Sequence, residues 1–265
     1  MSRGGDWGRV LVWGIVGLGC AYVILPIAVP IAVSFSAGEF LTFPPRGFSL
    51  KWYERALGNA EFLGALWLSI ELATVAAAGA LMLGVPAAWV LVRHRFPGRA
   101  VVQGLLLSPL IFPMLVTGIA LLQFFTIVGF RNAFVNLAIA HILITLPYVM
   151  RTVSASLILL DTRIEEAARV LGASDREVFR RITLPLIARG MAAGSIFAFV
   201  TSFDNFPVTM WLKNAEYTPL PLLVFSFIDR FLDPTIAAIS GLMILLSIAF
   251  IFAIERFMGL NRAVP

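Results

Sequence analysis

Few side chains in this sequence are equipped for chemistry, and most of those that are lie close together. Residues 166 to 185 read EAARVLGASDREVFRRITLP, a charged island in a chain that is otherwise apolar. Away from it, two acids fall inside apolar runs: Asp204, flanked by Phe203 and Phe206 and followed by Asn205, and Glu71. An ionisable group at membrane depth is costly and usually faces a cavity or a partner. Asp204 is therefore a candidate anionic site with an aromatic wall, where an amine can pair with the carboxylate and stack on the rings. A hydrogen bond to a neighbouring helix is the structural alternative. Glu71, roughly 13 Å into its helix at about 1.5 Å per residue, is the second pathway candidate, with the same alternative. His141 reads as an interhelical hydrogen-bond residue. Arg151 reads as a side chain that snorkels to the interface.

Other chemistries are excluded by composition. The single cysteine, Cys20, rules out an intramolecular disulfide and a paired-cysteine metal site, and His94 and His141 are too far apart for a zinc motif. No Ser/His/Asp set or paired-carboxylate site is evident. The chain lacks GxxxxGK[ST], so it has no phosphate-cradling loop, and no catalysis is expected of it.

The elements that must hold these residues are set by hydropathy. The chain has 265 residues, 60% hydrophobic and 13% charged, with mean hydropathy +0.92. Soluble domains carry about 25% charged residues, so lipid is the expected solvent for most of this surface. Bilayers admit helices or closed barrels, and the short alternating segments of a barrel are absent. The expectation is an all-α polytopic membrane protein, one transmembrane domain over 1–265. Spans need about 20 apolar residues each. Six are expected, at about 10–35, 62–92, 101–128, 133–158, 186–212 and 235–254. Pro109 and Pro113 should kink the third, Pro147 the fourth, and Asp204 lies inside the fifth. Residues 10–38 carry no charge, too long for the apolar part of a cleaved leader, so the first span is expected to be retained. Leu50 to Leu57 reads as a short interfacial helix, with Trp52 and Tyr53 at headgroup depth; Trp67, Trp89 and Trp211 read as interfacial anchors.

A net charge of +5 is a feature of nucleic-acid binders, but here the positive charge is expected to be sorted by membrane side. Fourteen of the twenty Lys and Arg fall in the N-terminal tail (Arg3, Arg9), 93–99, 151–189 and the C-terminal tail (Arg256, Arg262), and six on the opposite side. That asymmetry places both termini and the island in the cytoplasm.

Within the island, Thr162 with Glu165 and Ser174 with Glu177 each fit a capping box. Ile164, Ala167, Ala168 and Leu171 form one apolar stripe, Gly172 closes the first helix, and the second ends by Pro185. A helix of about nine residues is marginal alone and must pack on something. It can pack on its own membrane domain, or it can enter a partner's groove with Arg163, Glu165, Glu166 and Arg169 decorating the rim.

Glu166-Ala167-Ala168, Gly172 after three intervening residues, then Ile182 and Pro185, resemble position for position the EAA loop of binding-protein-dependent ABC importer permeases. The six-helix plan, with this loop between helices four and five, is similar over nearly the whole chain. The resemblance implies that Glu165, Glu166, Ala167, Ala168, Arg169, Leu171, Gly172, Ile182 and Pro185 form a coupling helix and its flanks, seated in a cleft of a separate ATPase. Two ATPase copies, holding ATP and magnesium, would bind beneath two permease subunits, the second a related but different chain. An extracytoplasmic binding protein would deliver cargo to this bacterial inner-membrane assembly. Leu146-Pro147-Tyr148, Arg151-Thr152-Val153, Thr201 to Asn205, Leu220-Pro221 and Asp233 to Ala238 further resemble the spermidine/putrescine-type permeases, in particular the second of their two. That subgroup often has a second acid where Asn205 stands, which leaves ferric iron, phosphonate or another small solute as alternative cargoes. The rival outside this class is an ion-coupled secondary carrier, which needs internal repeats and midplane ion sites; a membrane enzyme would need a reactive polar cluster.

Overall fold

The computed structural model describes the backbone of residues 5–230 and 234–257; Arg3, Asp233 and Arg262 lie outside it, as do the side chains of Asp229 and Arg230. Every regular element among the described residues is helical. In chain order these are α1 (Gly5–Ser34), α2 (Lys51–Leu57), α3 (Ala60–Arg93), α4 (Arg99–Leu107), α5 (Met114–Val128), α6 (Ala133–Leu159), α7 (Thr162–Val170), α8 (Asp175–Val178), α9 (Leu184–Leu186), α10 (Ala188–Phe203), α11 (Thr209–Leu212), α12 (Leu220–Arg230) and α13 (Thr235–Phe257). Four of them are long and apolar enough to cross a membrane, or up to six spans if two bent pairs each count as one.

Two compact units divide the chain, Met1–Phe62 with Val224–Leu246, and Leu63–Leu223 with Ser247–Pro265. In the first, α1 is exposed along its apolar length from Val10 to Leu25. The expected short helix is present as α2, but its aromatic residues are structural. Trp52 is buried and its indole N–H donates to Ser36 O at 2.8 Å, and the Tyr53 hydroxyl lies 2.7 Å from Ser34 Oγ.

The second unit is built around α6, which carries twelve buried residues. It packs against α10 through Gly190 and Gly194, spaced four apart on one face. A Cβ on Gly194 would lie 2.6 Å from Thr152 Oγ1 and 2.9 Å from Val149 Cα, and one on Gly190 would lie 2.8 Å from Thr152 O. Lipid gives apolar side chains little reason to associate, so helices there pack where small residues let backbones approach.

Two expected spans and one outer segment differ. The third is broken: α4 passes into a 3-10 turn, Ser108–Leu110, and the chain restarts at α5 after a bend of 107°. Pro109 and Pro113 produce a break rather than a kink, since each removes a backbone donor and both fall within one turn. The fifth ends at Phe203, not 212, and Asp204 to Val208 form a turn before α11. The outer segment 213–234 contains a helix, α12, whose first N–H is satisfied by Ser69 Oγ at 2.7 Å.

Candidate functional site

The island folds as helix, glycine bend and helix. Asp161, not Thr162, caps α7, its carboxylate accepting from Arg163 N at 3.0 Å. Gly172 takes φ +88, a left-handed conformation that glycine alone adopts without strain, and no atom lies within 4 Å of where its Cβ would be. The bend is therefore required by the backbone and leaves open space around it. Ser174 and Glu177 form the expected capping box: Ser174 N donates to Glu177 Oε2 at 3.0 Å and Glu177 N to Ser174 Oγ at 3.4 Å. These hydrogen bonds from Ser174, backbone first, with the charge of Arg181, hold the Glu177 carboxyl below its ordinary value. The second helix does not stop at Pro185. It widens into a π turn, Phe179–Thr183, continues through α9 with Pro185 inside, and bends by 67° into α10.

Exposure separates the two packing options for α7. Val170 and Leu171 are each 87% exposed and Ile164 is 46% exposed. Glu166, Ala167, Arg169, Gly172 and Pro185 are exposed as well, with Ala168 and Ile182 half-buried. The apolar stripe is not packed against its own unit. Arg169 pairs with Asp175 at 2.8 Å across the bend, an exposed contact that contributes little stability.

Glu165 corrects the expected rim of charges. It is 3% exposed and turned inward. Thr183 Oγ1 donates to Glu165 Oε1 at 2.6 Å, and Arg93 Nε lies 3.1 Å from Glu165 Oε2. The shift of the cap to Asp161 frees the Glu165 carboxylate for this role. A second contact runs beside it, Trp89 meeting Phe179 edge to face at 5.3 Å. The last turn of α3 is thus fastened to both halves of the loop. Arg93 and Thr183 were missed from sequence. Only the placement of an acid on the buried side of α7 signals them, and that depends on where the helix starts.

The pathway candidates are not gathered as expected. Because α10 ends at Phe203, Asp204 is the exposed C-cap of that helix, not a mid-span residue. Phe203 is 2% exposed and stacks on Phe199 at 5.7 Å, so it lies in the interior and offers no wall to Asp204; Phe206 is half-buried. Asn205 is 3% exposed and its amide is committed internally, accepting from Val208 N at 3.1 Å and donating towards Met114 Sδ at 3.6 Å. Asn205 caps the turn that follows Asp204. Beneath the turn, His141 lies with Nδ1 2.7 Å from Ser202 Oγ and Nε2 3.0 Å from Thr209 Oγ1, so one buried imidazole touches the helices on both sides of the break. The interhelical reading of His141 holds. Glu71 is exposed on α3. No hydrogen bond or ion pair joins it to Asp204 among the described residues.

Comparison with known proteins bears on what this geometry serves. Residues 80–262 match the family described as the binding-protein-dependent transport system inner membrane component. The chain is similar to the spermidine/putrescine transport system permease protein PotC of Haemophilus influenzae, 34% identical over 87% of this chain and 90% of the relative. It is 33% identical to PotC of Escherichia coli over 93% of each chain, and 32% identical to the putrescine transport system permease protein PotI of that organism over 86% of this chain and 83% of the relative. The fold is shared with a chain of a bacterial ABC transporter involved in import of the acidic polysaccharide alginate, at TM-score 0.70 and 17% identity over 100% of this chain and 99% of the other. It is also shared with a chain of an amino acid ABC transporter, at TM-score 0.60 and 17% identity over 80% and 99%. With the family matched across most of its length and relatives above 30% identity along nearly all of it, this chain belongs to the inner membrane components of binding-protein-dependent transport systems.

Proposed function

We propose that this chain is one of two permease subunits of an ABC importer for polyamines, and that α7 is the helix through which separate ATPase subunits drive it. The observation that carries the reading is the set of exposed apolar residues Ile164, Ala167 and Leu171 of the stripe, with Val170 next to them, beside the Gly172 bend in a loop that is itself well capped. An apolar face of that kind, ordered but uncovered, is suited to a partner's groove. The inward contacts of Glu165 with Arg93 and Thr183 make the loop a lever fixed to the end of α3. Two ATPase copies would bind α7 of this chain and of its partner permease, an extracytoplasmic binding protein would deliver cargo, and both termini would lie in the cytoplasm, as the Lys/Arg asymmetry favours. Hydrolysis, with its ATP and magnesium, would reside on the ATPases.

The polyamine assignment rests on the names of the relatives and on Asp204, an exposed carboxylate at a break between two helices. Cationic cargo needs such a group, and a broken helix in a membrane normally lines a cavity. The test is the double change Glu166→Lys with Gly172→Trp in the assembled complex. Spermidine uptake should fall to background while the chain still inserts in the membrane, because charge and bend on the docking face are both altered. Uptake at the wild-type rate would overturn the docking assignment.

A further inference from the structure

At the loop end of the second unit, the last residues of α3, the start of α4 and the last turns of α6 line an open cavity of about 340 Å³. Its polar groups are the guanidinium groups of Arg99 and Arg151, with Gln103 and Ser154; Val92 and Ile158 are among its apolar walls. No Asp or Glu lines it. Arg99 Nε is buried without a hydrogen-bond partner, and neither arginine makes an ion pair among the described residues. Two cations sharing one cavity with no acid beside them, the exposed Arg151 and the half-buried Arg99 with a buried donor left open, suit an anion.

The apolar part of the site narrows the choice of anion. Ile158 is 70% exposed at its edge. On α4, which carries no buried residue, Val101 and Leu105 are 66% and 67% exposed. The chain bends by 107° between that helix and α5. A short helix with uncovered apolar side chains and arginine at its start is built to lie in the headgroup layer. A free phosphate would satisfy the arginines and leave these apolar walls wet.

We infer that this cavity is a binding site for an anionic phospholipid, its phosphate held between Arg99 and Arg151 and its acyl chain lying along Ile158 and the exposed face of α4. Basic pockets between membrane helices bind such headgroups. The site lies on helices α3 and α6, so bound lipid would brace the two helices that hold the coupling loop.

The test uses the intact transporter complex in phosphatidylcholine nanodiscs with a minor fraction of phosphatidylglycerol, followed by detergent washing and native mass spectrometry. The wild-type complex should retain phosphatidylglycerol in preference to phosphatidylcholine. Arg99→Gln with Arg151→Gln should lower that retention about thirtyfold, two cationic contacts with a charged lipid being lost, whereas Arg99→Lys with Arg151→Lys should keep most of it. Where the double glutamine variant fails to assemble, Ser154→Glu, which puts an acid into the cavity, should give the same loss. Equal retention of both lipids by the wild type overturns the proposal. So does phosphatidylglycerol retention unaffected by the glutamine or glutamate changes, and so does displacement of the lipid by millimolar inorganic phosphate, which would assign the arginines to a free anion.

Discussion

Glu177 shows how much a single side chain contributes to an otherwise marginal loop. Its carboxylate accepts from Ser174 N and Oγ, and α8 has only four residues to hold it. Because these contacts depress its pKa, the order they give is complete above the ordinary glutamate value and is lost as pH falls through the lower folded value. Amide-exchange protection at Ala173 to Val178 should therefore decline on acidification below the ordinary glutamate range, and Glu177→Gln should abolish that dependence. Protection unchanged through this range would contradict the cap's role. At the opposite end of α10, Asp204 is exposed and Asn205 is buried. Asp204→Asn removes a charge without disturbing the turn, so spermidine-stimulated ATP hydrolysis by the complex should need about tenfold more cargo, the loss of one charge-assisted contact. An unchanged dose response would remove Asp204 from recognition.

Between elements, the closest packing is that of α6 against α10. Gly194 faces Val149 and Thr152 with backbone on one side, so the neighbour cannot yield as a flexible tip would. Gly194→Val should lower the stability of the detergent-solubilised chain by about 1–3 kcal/mol through overpacking. Thermal unfolding checks this, and a variant melting with the wild type would mean the helices separate at no cost. The small-xxx-small spacing of Gly190 and Gly194 is visible in the sequence, yet which helix they meet is not, because a glycine pair specifies close approach and not its partner. Similarly, Pro109 and Pro113 announce a disturbance in the sequence, but the 107° angle of the break is seen only in the structure.

For the molecule as a working part, the fastening of α3 to the loop is decisive. Glu165, Arg93 and Thr183 join elements far apart in sequence, and the Trp89–Phe179 contact lies beside them. Breaking a buried pair by removing one partner leaves the other charge uncompensated. In the complex, Glu165→Gln should lower spermidine transported per ATP hydrolysed by about tenfold, within the usual range of coupling between sites. Arg93→Glu with Glu165→Arg should recover part of the loss. Normal yield per ATP from Glu165→Gln would show that drive reaches the membrane helices without this pair.

What the sequence determined by itself follows from local rules. Apolar runs of spanning length mark membrane helices whatever they pack against, and the positions from Glu166 to Pro185 carry a capping box and a glycine bend that need no distant partner, whereas the exposure of the apolar stripe beside them was decided by the tertiary structure. What the tertiary structure decided depends on groups brought together from far along the chain. The inward turn of Glu165 needs Arg93, 72 residues before it, and the burial of Asn205 and Phe203 needs the break under which His141 reaches both Ser202 and Thr209. Helix period and capping are properties of a few neighbouring residues, whereas the side of a helix that is buried, and the point where a span breaks, are set by what the rest of the molecule places against it.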